Sequence, residues 1–241
     1  MEISISLDPA ANKNLESYVK EMNAVLLSIN EGRLSFHADV MDGKLVERAA
    51  ISNEEYQFVA REALLPVDVH LMIHKPAERI TDYLTVPPSP RYGKTVRSIT
   101  FQIESVTKFE ATRLLSTIQK AGFKAGIAID LDTYIGSDLE RIIEKCDLVV
   151  IMSVKAGKSG QAFNMTGLRK VSTIKKINPS IRVILDGGIR PNNIDLIKKA
   201  GVDTAVIGSY IYESTDKKND ILGLIKLIEA VKKPAFGKLP K

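Results

Sequence analysis

The sequence predicts an α/β fold of the (β/α)8 TIM-barrel class, and three observations carry the prediction. Apolar strand-like runs alternate with amphipathic helical stretches along the whole chain. Eight such units can be counted, and a doubly wound sheet usually stops at about five or six strands. The length of 241 residues suits one barrel, which typically takes ~250 residues. Strands are expected at 3–7, 34–40, 67–72, 97–103, 124–129, 147–152, 181–185 and 203–207. Helices are expected near 13–29, 52–63, 76–84, 107–121, 137–145, 164–177, 191–200 and 219–232. The alternation implies parallel strands joined by right-handed crossovers. Ala121-Gly122 and Ala200-Gly201 each place a glycine just past a helix, where a left-handed cap is needed. Pro76 and Pro191 suit the first turn of a helix. The stretch Thr85-Val-Pro-Pro-Ser-Pro-Arg-Tyr-Gly-Lys94 breaks the rhythm between the third helix and fourth strand. It reads as a surface loop or oligomer contact on the amino-terminal face. No linker or longer repeat is visible, so residues 1–241 are expected to form a single domain.

Hydrophobic residues make up 44% of the chain, enough for a large core, whereas aromatics are 6% and tryptophan is absent. That argues against a stacking platform for nucleic acid. The formal charge of +5 suits an anionic small molecule, and the lysines are spread rather than gathered into a stripe, so no nucleic-acid partner is expected. Residues 232–241 read as a solvated tail. The single cysteine, Cys146, excludes an internal disulfide, fits a reducing cytosol and reads as structural. Residues 1–7 lack the basic region and long apolar core of a signal peptide. No segment approaches the ~20 apolar residues of a membrane span. A cytoplasmic protein without a membrane partner is expected.

Four polar residues stand out. His37, Asp39, His70 and Asp186 lie at the carboxyl ends of the apolar runs that read as strands two, three and seven, and the chain has only three histidines. His37 and Asp39 are two apart and share a face. In a barrel of this kind, function collects at the carboxyl face. A lone strand-end histidine is usually a hydrogen-bonded structural residue, and a lone aspartate a turn former or cap. The coincidence of two histidines and two aspartates at one rim points instead to a divalent metal site. The two carboxylates also form a candidate acid/base pair. Met41, Met72 and Met152 fall at or just past strand ends and would line the site, core packing being their ordinary role. Asp42 reads as a turn residue, and His74 as a loop residue outside the site. Asp186-Gly-Gly-Ile189 and Gly208-Ser-Tyr-Ile211 follow strands seven and eight, the two loops that usually hold phosphate in this fold. Gly187, Gly188, Gly208 and Ser209 are therefore candidate phosphate contacts. The loop Ala156-Gly-Lys-Ser-Gly-Gln161 follows strand six and is expected to be mobile and to close over a substrate, with Gly157 and Gly160 against it and Lys158 in solvent.

These residues resemble the ribulose-phosphate 3-epimerase family over nearly the whole chain. The carrying segments are His37-Ala-Asp-Val-Met-Asp-Gly43, Asp68-Val-His-Leu-Met72, Lys124-Ala-Gly-Ile-Ala-Ile129, Val150-Ile-Met-Ser-Val154, Gly160-Gln161, Asp186-Gly-Gly188 and Gly208-Ser209. The resemblance implies a ribulose-phosphate-binding barrel that interconverts ribulose 5-phosphate and xylulose 5-phosphate in the pentose phosphate pathway. It places the metal ligands on His37, Asp39, His70 and Asp186, and the proton-transfer carboxylates on Asp39 and Asp186. It places the methionine cushion on Met41, Met72 and Met152, and a substrate-contacting serine on Ser6. It also implies a homo-oligomer. One divalent ion, Zn2+, Fe2+, Mn2+ or Co2+, would stabilise an enediolate while one aspartate removes the C3 proton and the other returns a proton on the opposite face.

The chain departs from the family pattern at the loops that wrap a substrate. The strand-one motif Pro-Ser-x-Leu-Ser-Ala-Asp is here Ile5-Ser-Leu-Asp-Pro-Ala-Ala11. The Phe-Val-Pro-Asn-like loop after Gly43 becomes Lys44-Leu-Val-Glu-Arg48. A strand-four His-x-Glu becomes Gln102-Ile-Glu104, and the mobile-loop Pro-Gly-Phe-Gly-Gly-Gln becomes residues 156–161 as given above. These changes leave two alternatives beside the pentulose: a related ketose phosphate such as a hexulose 6-phosphate, or a sugar-phosphate-binding barrel without catalysis.

Overall fold

Strand side chains alternate between two faces, and the second strand, β2 (Leu34–Met41), spells this out. Leu34, Phe36, Ala38 and Val40 alternate with Ser35, His37, Asp39 and Met41, and all eight are buried. The apolar set joins one large cluster with Tyr18, Val19 and Met22 of the first helix. The polar set faces the barrel interior. A strand covered on both faces is what a parallel sheet with helices outside requires.

The computed structural model describes residues 1–86, 93–157 and 160–231. Its other strands are β1 (Glu2–Ser6), β3 (Val67–Met72), β4 (Val96–Gln102), β5 (Lys124–Ile129), β6 (Leu148–Met152), β7 (Arg182–Asp186) and β8 (Thr204–Ile207). Each pairs in parallel with the next, and β8 pairs with β1, so the barrel closes. The helices are α1 (Leu15–Ile29), α2 (Asn53–Glu62), α3 (Pro76–Leu84), α4 (Lys108–Lys120), α5 (Ser137–Ile143), α6 (Thr166–Ile177), α7 (Ile194–Lys199), α8 (Ser209–Tyr212) and α9 (Lys217–Ala230). Ser52 with Glu55, and Thr107 with Glu110, form reciprocal caps at the starts of α2 and α4. Pro76 opens α3, and Gly122 and Gly201 take the left-handed conformation at φ +82° and +90°.

Four local expectations need correction. The seventh helix begins at Ile194, not near Pro191. Asn193 accepts from Arg190 N at 2.9 Å and donates to Gly188 O at 3.0 Å, and this closure holds the segment as a loop rather than a helical turn. The first strand ends at Ser6, because Asp8–Ala10 turns into a 3-10 helix, and the fourth ends at Gln102 before a second one at Ile103–Ser105. The residues after β8 form the short helix α8 instead of an open loop. The expectations for Lys158, for the prolines at 87, 88 and 90, and for the tail 232–241 lie outside the described residues.

The barrel interior is divided. Ala128, Leu148, Val150, Met152, Ile184 and Val206 form a separate apolar cluster on the side of β5 to β8. Gly126 lets them close up: a Cβ there would meet Leu148 O at 2.4 Å and Thr100 Cγ2 at 2.9 Å. The side of β1 to β4 instead buries Ser4, Ser6, Ser35, His37, Asp39, Asp68, His70, Ser98, Thr100 and Gln102.

The amino-terminal end is plugged by charge. Asp68, 1% exposed, takes a bidentate pair from Arg97 (2.9 and 2.6 Å) and another from Arg182 (3.0 and 2.9 Å). Both guanidinium groups also reach Glu2, which accepts from Ser35 Oγ at 2.6 Å. Burial opposes the Asp68 carboxylate, but the two arginines outweigh it and hold the group well below the usual carboxylate range. Removing one member of a buried charge network strands the others. Asp68→Ala is therefore expected to lower the unfolding free energy by about 3–5 kcal/mol, read from urea denaturation followed by circular dichroism. A change under about 1 kcal/mol, the worth of an exposed pair, would show that the plug is not structural.

Candidate metal and catalytic site

The parallel register builds the site. Ser6 pairs with His37, Asp39 with His70, Met41 with Met72, and Met152 with Asp186. Each pair lies on adjacent strands at the carboxyl rim with its side chains inward. The site is therefore made of side chains that the sheet itself sets side by side.

Asp39 is its centre. Its Oδ1 lies 3.3 Å from His37 Nε2 and 3.1 Å from His70 Nδ1, and its Oδ2 accepts from Ser6 Oγ at 3.4 Å. Asp186 Oδ2 lies 3.7 Å from His37 Nε2. His37 and His70 are fully buried, and Asp39 and Asp186 are 4% and 9% exposed. One ligand atom from each of the four lies within 4.8 Å of the others.

Two observations fit this cluster to a divalent cation. Neither ring nitrogen of His37 makes a hydrogen bond, although the ring is fully buried. Such orphaned buried polar atoms are costly unless something else satisfies them. His70 Nε2 contacts Gln102 Oε1 at 2.9 Å. A proton on Nε2 makes that bond and leaves the Nδ1 lone pair aimed at the cluster, the arrangement by which an outer partner orients a metal-binding histidine. Two imidazoles and two carboxylates are a donor set for a borderline divalent metal.

The electrostatics separate the two carboxylates. Burial disfavours the ionised form of Asp39, but His37 and His70 beside it outweigh burial and hold the carboxyl far below its ordinary range. Burial, then the neighbouring Asp39 charge, pushes Asp186 up to about 7. Burial works against the His37 imidazolium, yet Asp39 and Asp186 outweigh it and raise His37 to about 9.

A cavity of about 560 Å3, open to solvent, lies above this cluster. Met41, Met72 and Met152 are buried and line it, with Ser6, Asp39 and Asp186. Gly157, Gly160, Gly187, Gly188, Gly208 and Ser209 line it as well. Gly187 and Gly188 have φ of +112° and +64°, and a Cβ would stand 2.3 Å from Val154 Cγ2 at the first and 2.6 Å from Phe163 N at the second. No other residue fits either position, so this turn keeps its backbone bare toward the cavity. Gly157 has φ +97° and packs on Val46, whereas Gly160 has open space around it. All ten predicted substrate-contact residues thus face one cavity.

Other residues behave as expected of bystanders. Asp42 Oδ1 accepts from Lys44 N and Leu45 N at 3.0 and 3.4 Å, closing a turn, and its Oδ2 accepts from His74 N at 3.0 Å. Burial pushes the Cys146 thiol up to about 12, and the thiol donates to Ile142 O at 3.3 Å. Sequence reasoning missed Gln102 as the partner of His70, and it missed Asp8, Lys155 and Arg190 in the cavity wall. Arg190 lies two residues past the glycine pair, which was the available signal. Asp8 and Gln102 stood out only as departures from the family pattern, and nothing local marks Lys155.

A (β/α)8 barrel with a buried histidine–aspartate cluster at its carboxyl rim, under a glycine-lined cavity, is the class that fold and site define. The sequence model of the ribulose-phosphate 3 epimerase family matches residues 2–212. The ribulose-phosphate 3-epimerase of Aquifex aeolicus is 33% identical over 193 residues, covering 78% of this chain and 82% of that protein. The Escherichia coli ribulose-phosphate 3-epimerase is 35% identical over 190 residues, covering 77% and 80%. The chain therefore belongs to the ribulose-phosphate 3-epimerase family, a family of isomerases. Among solved structures, 3-hexulose-6-phosphate synthase from Salmonella typhimurium superposes with a TM-score of 0.63 at 11% identity, covering 96% of this chain and 100% of that one, a likeness of fold. No helix among the described residues is long and apolar enough to cross a membrane.

The pKa shifts give a signed prediction. Without metal, folded protein keeps the Asp186 proton to about 7 while an ordinary carboxyl releases it near 3.8, so stability falls as pH rises between those values. His37, raised from 6.5 to about 9, extends the fall over that interval. A divalent cation needs both groups deprotonated, so its stabilising effect grows over the same window. The rise in Tm on adding Mn2+, Co2+ or Zn2+ is expected to be larger at pH 8 than at pH 5, measured by calorimetry. Equal rises at both values would separate the cluster from metal binding.

Proposed function

We propose that this protein is a metal-dependent 3-epimerase of a ketose phosphate, interconverting D-ribulose 5-phosphate and D-xylulose 5-phosphate. The observation that carries this reading is the pair of rim carboxylates, Asp39 and Asp186, whose ligand atoms lie with those of His37 and His70 within 4.8 Å of one another under the cavity of a family-matched barrel. Two carboxylates at one rim can serve as base and acid on opposite faces of one carbon. Asp39 takes the C3 proton of the ketose. Asp186 delivers a proton to the opposite face of C3, which inverts the centre, and the reverse reaction exchanges the two roles. Two groups are needed because a single base tends to restore the original configuration.

His37, Asp39, His70 and Asp186 would hold a divalent metal (Zn2+, Fe2+, Mn2+ or Co2+), which would supply positive charge to stabilise the negative charge that develops when the C3 proton leaves. Ser6 donates to Asp39 and orients it. Met41, Met72 and Met152 form a soft wall that keeps water from the reacting carbon. Backbone groups at Gly187, Gly188, Gly208 and Ser209 hold the phosphate, with Gly160 on the opposite loop and Gly157 seating that loop against Val46. The resemblance also supports reading the chain as one domain of a cytoplasmic homo-oligomer in the pentose phosphate pathway.

Proton NMR of metal-loaded protein with D-ribulose 5-phosphate in D2O tests the reading. Deuterium is expected at C3 together with xylulose 5-phosphate. Asp39→Asn and Asp186→Asn are each expected to lower turnover by about 10^2–10^4-fold, the usual worth of a general acid or base, with an unchanged circular dichroism spectrum. Near-wild-type turnover in either variant would reject its role. Absence of exchange with D-ribulose 5-phosphate and with a hexulose 6-phosphate, metal present, would leave a sugar-phosphate-binding barrel.

A further inference from the structure

Two departures from the family pattern lie in different loops and meet in space. Asp8 stands where the strand-one motif has leucine, and Arg48 stands near the end of the rewritten loop after β2. Arg48 Nη2 donates to Asp8 Oδ1, and Arg48 Nε donates to Gly157 O at 3.2 Å. Arg48 Nη2 also lies 3.9 Å from Met41 Sδ. Arg48 therefore reaches from the β2 loop to both the β1 turn and the β6 loop. Asp8 is 4% exposed and lines the same cavity as Asp39, Met41 and Asp186.

A carboxylate in place of leucine in a cavity wall is costly unless it is paired. Arg48 supplies the pair and fixes where the carboxylate points. An ionised carboxylate has acceptor sites for several donors and none to donate. A neutral polyol entering the cavity can satisfy it, and an anion cannot. The cationic side chains in the same wall, Lys155 and Arg190, sit with the glycine loops after β6 and β7. The cavity thus offers positive charge on those loops and a buried carboxylate, held by Arg48, on the β1 turn.

We infer that Asp8, positioned by Arg48, is a specificity-determining residue that accepts a hydrogen bond from a sugar hydroxyl and excludes ligands bearing a second anionic group. The site would accordingly take ketose monophosphates and reject ketose bisphosphates. This rests on the sugar-phosphate reading of the cavity and adds the discriminating group. Arg48 is a positioning residue in this account.

Calorimetric binding to the metal-loaded protein tests it, with equilibrated D-ribulose 5-phosphate and with D-ribulose 1,5-bisphosphate as probes. Wild type is expected to prefer the monophosphate. Losing a hydrogen bond to a charged group weakens binding by roughly tenfold or more, so Asp8→Leu should bind the monophosphate about that much less tightly and the bisphosphate more tightly. Asp8→Asn, close in shape, should relieve the exclusion of the bisphosphate and guards against a folding defect in the leucine variant. Arg48→Leu should lose the preference and Arg48→Lys keep it. In turnover assays the Asp8 variants should raise KM and leave kcat within about threefold, the pattern of lost uniform binding. An unchanged preference in folded Asp8→Asn and Asp8→Leu, or a wild type that binds both probes equally, overturns the inference even where C3 exchange is seen. An Asp8-dependent preference without C3 exchange sustains it and overturns the epimerase reading instead. Binding of neither probe overturns both.

Discussion

Closing eight parallel strands on themselves fixes the register of every strand against its neighbours, and the rest of this molecule depends on that constraint. The register sets Asp39 beside His70, Ser6 beside His37 and Met152 beside Asp186. None of these pairs is close in sequence. A slip of one residue in β2 would turn His37 and Asp39 out toward the helices, where Phe36 and Val40 belong. The apolar outer face of each strand therefore protects the polar inner one, because reversing either would put apolar side chains into the site and charges into the core.

Buried charge occupies both ends of the barrel, with opposite physical outcomes. At the amino end, Asp68 is surrounded by two guanidinium groups and stays ionised, a closed network whose members satisfy one another. At the carboxyl end, the negative and titratable groups outnumber their partners. Asp186 retains a proton near neutrality and His37 has no hydrogen bond. A structure tolerates such a deficit where something else is to be bound. The apolar cluster on the side of β5 to β8, closed down by Gly126, flanks this polar column and contributes Met152 to the rim.

The mouth above this rim is where the chain differs from its family pattern. Arg48 spans three loops, and Val46 packs on Gly157, so the rewritten loops after β1, β2 and β6 form one connected surface. Changes that look independent along the sequence are joined by a single guanidinium. The glycine turn after β7 is different. Its close contacts with Val154 and Phe163 leave no room for a side chain, which keeps its backbone available to a ligand.

Much of this was legible in the residues. Eight alternating units gave the barrel, and strand-end placement picked out His37, Asp39, His70 and Asp186, because period and position are local properties. Glycines at 122 and 201 marked helix ends for the same reason. The sequence misplaced the start of α7, since Pro191 suits a helix and the closure by Asn193 depends on a side chain reaching back to Gly188. It could not pair Gln102 with His70 or Arg48 with Asp8, residues 32 and 40 positions apart. By itself, then, the sequence determined the fold class and the placement of the polar residues at the rim. Only the tertiary structure decided which of them lie within reach of Asp39, that neither ring nitrogen of His37 makes a hydrogen bond, and which loops touch, because those outcomes depend on distances of a few ångströms between strands that meet only when the barrel closes.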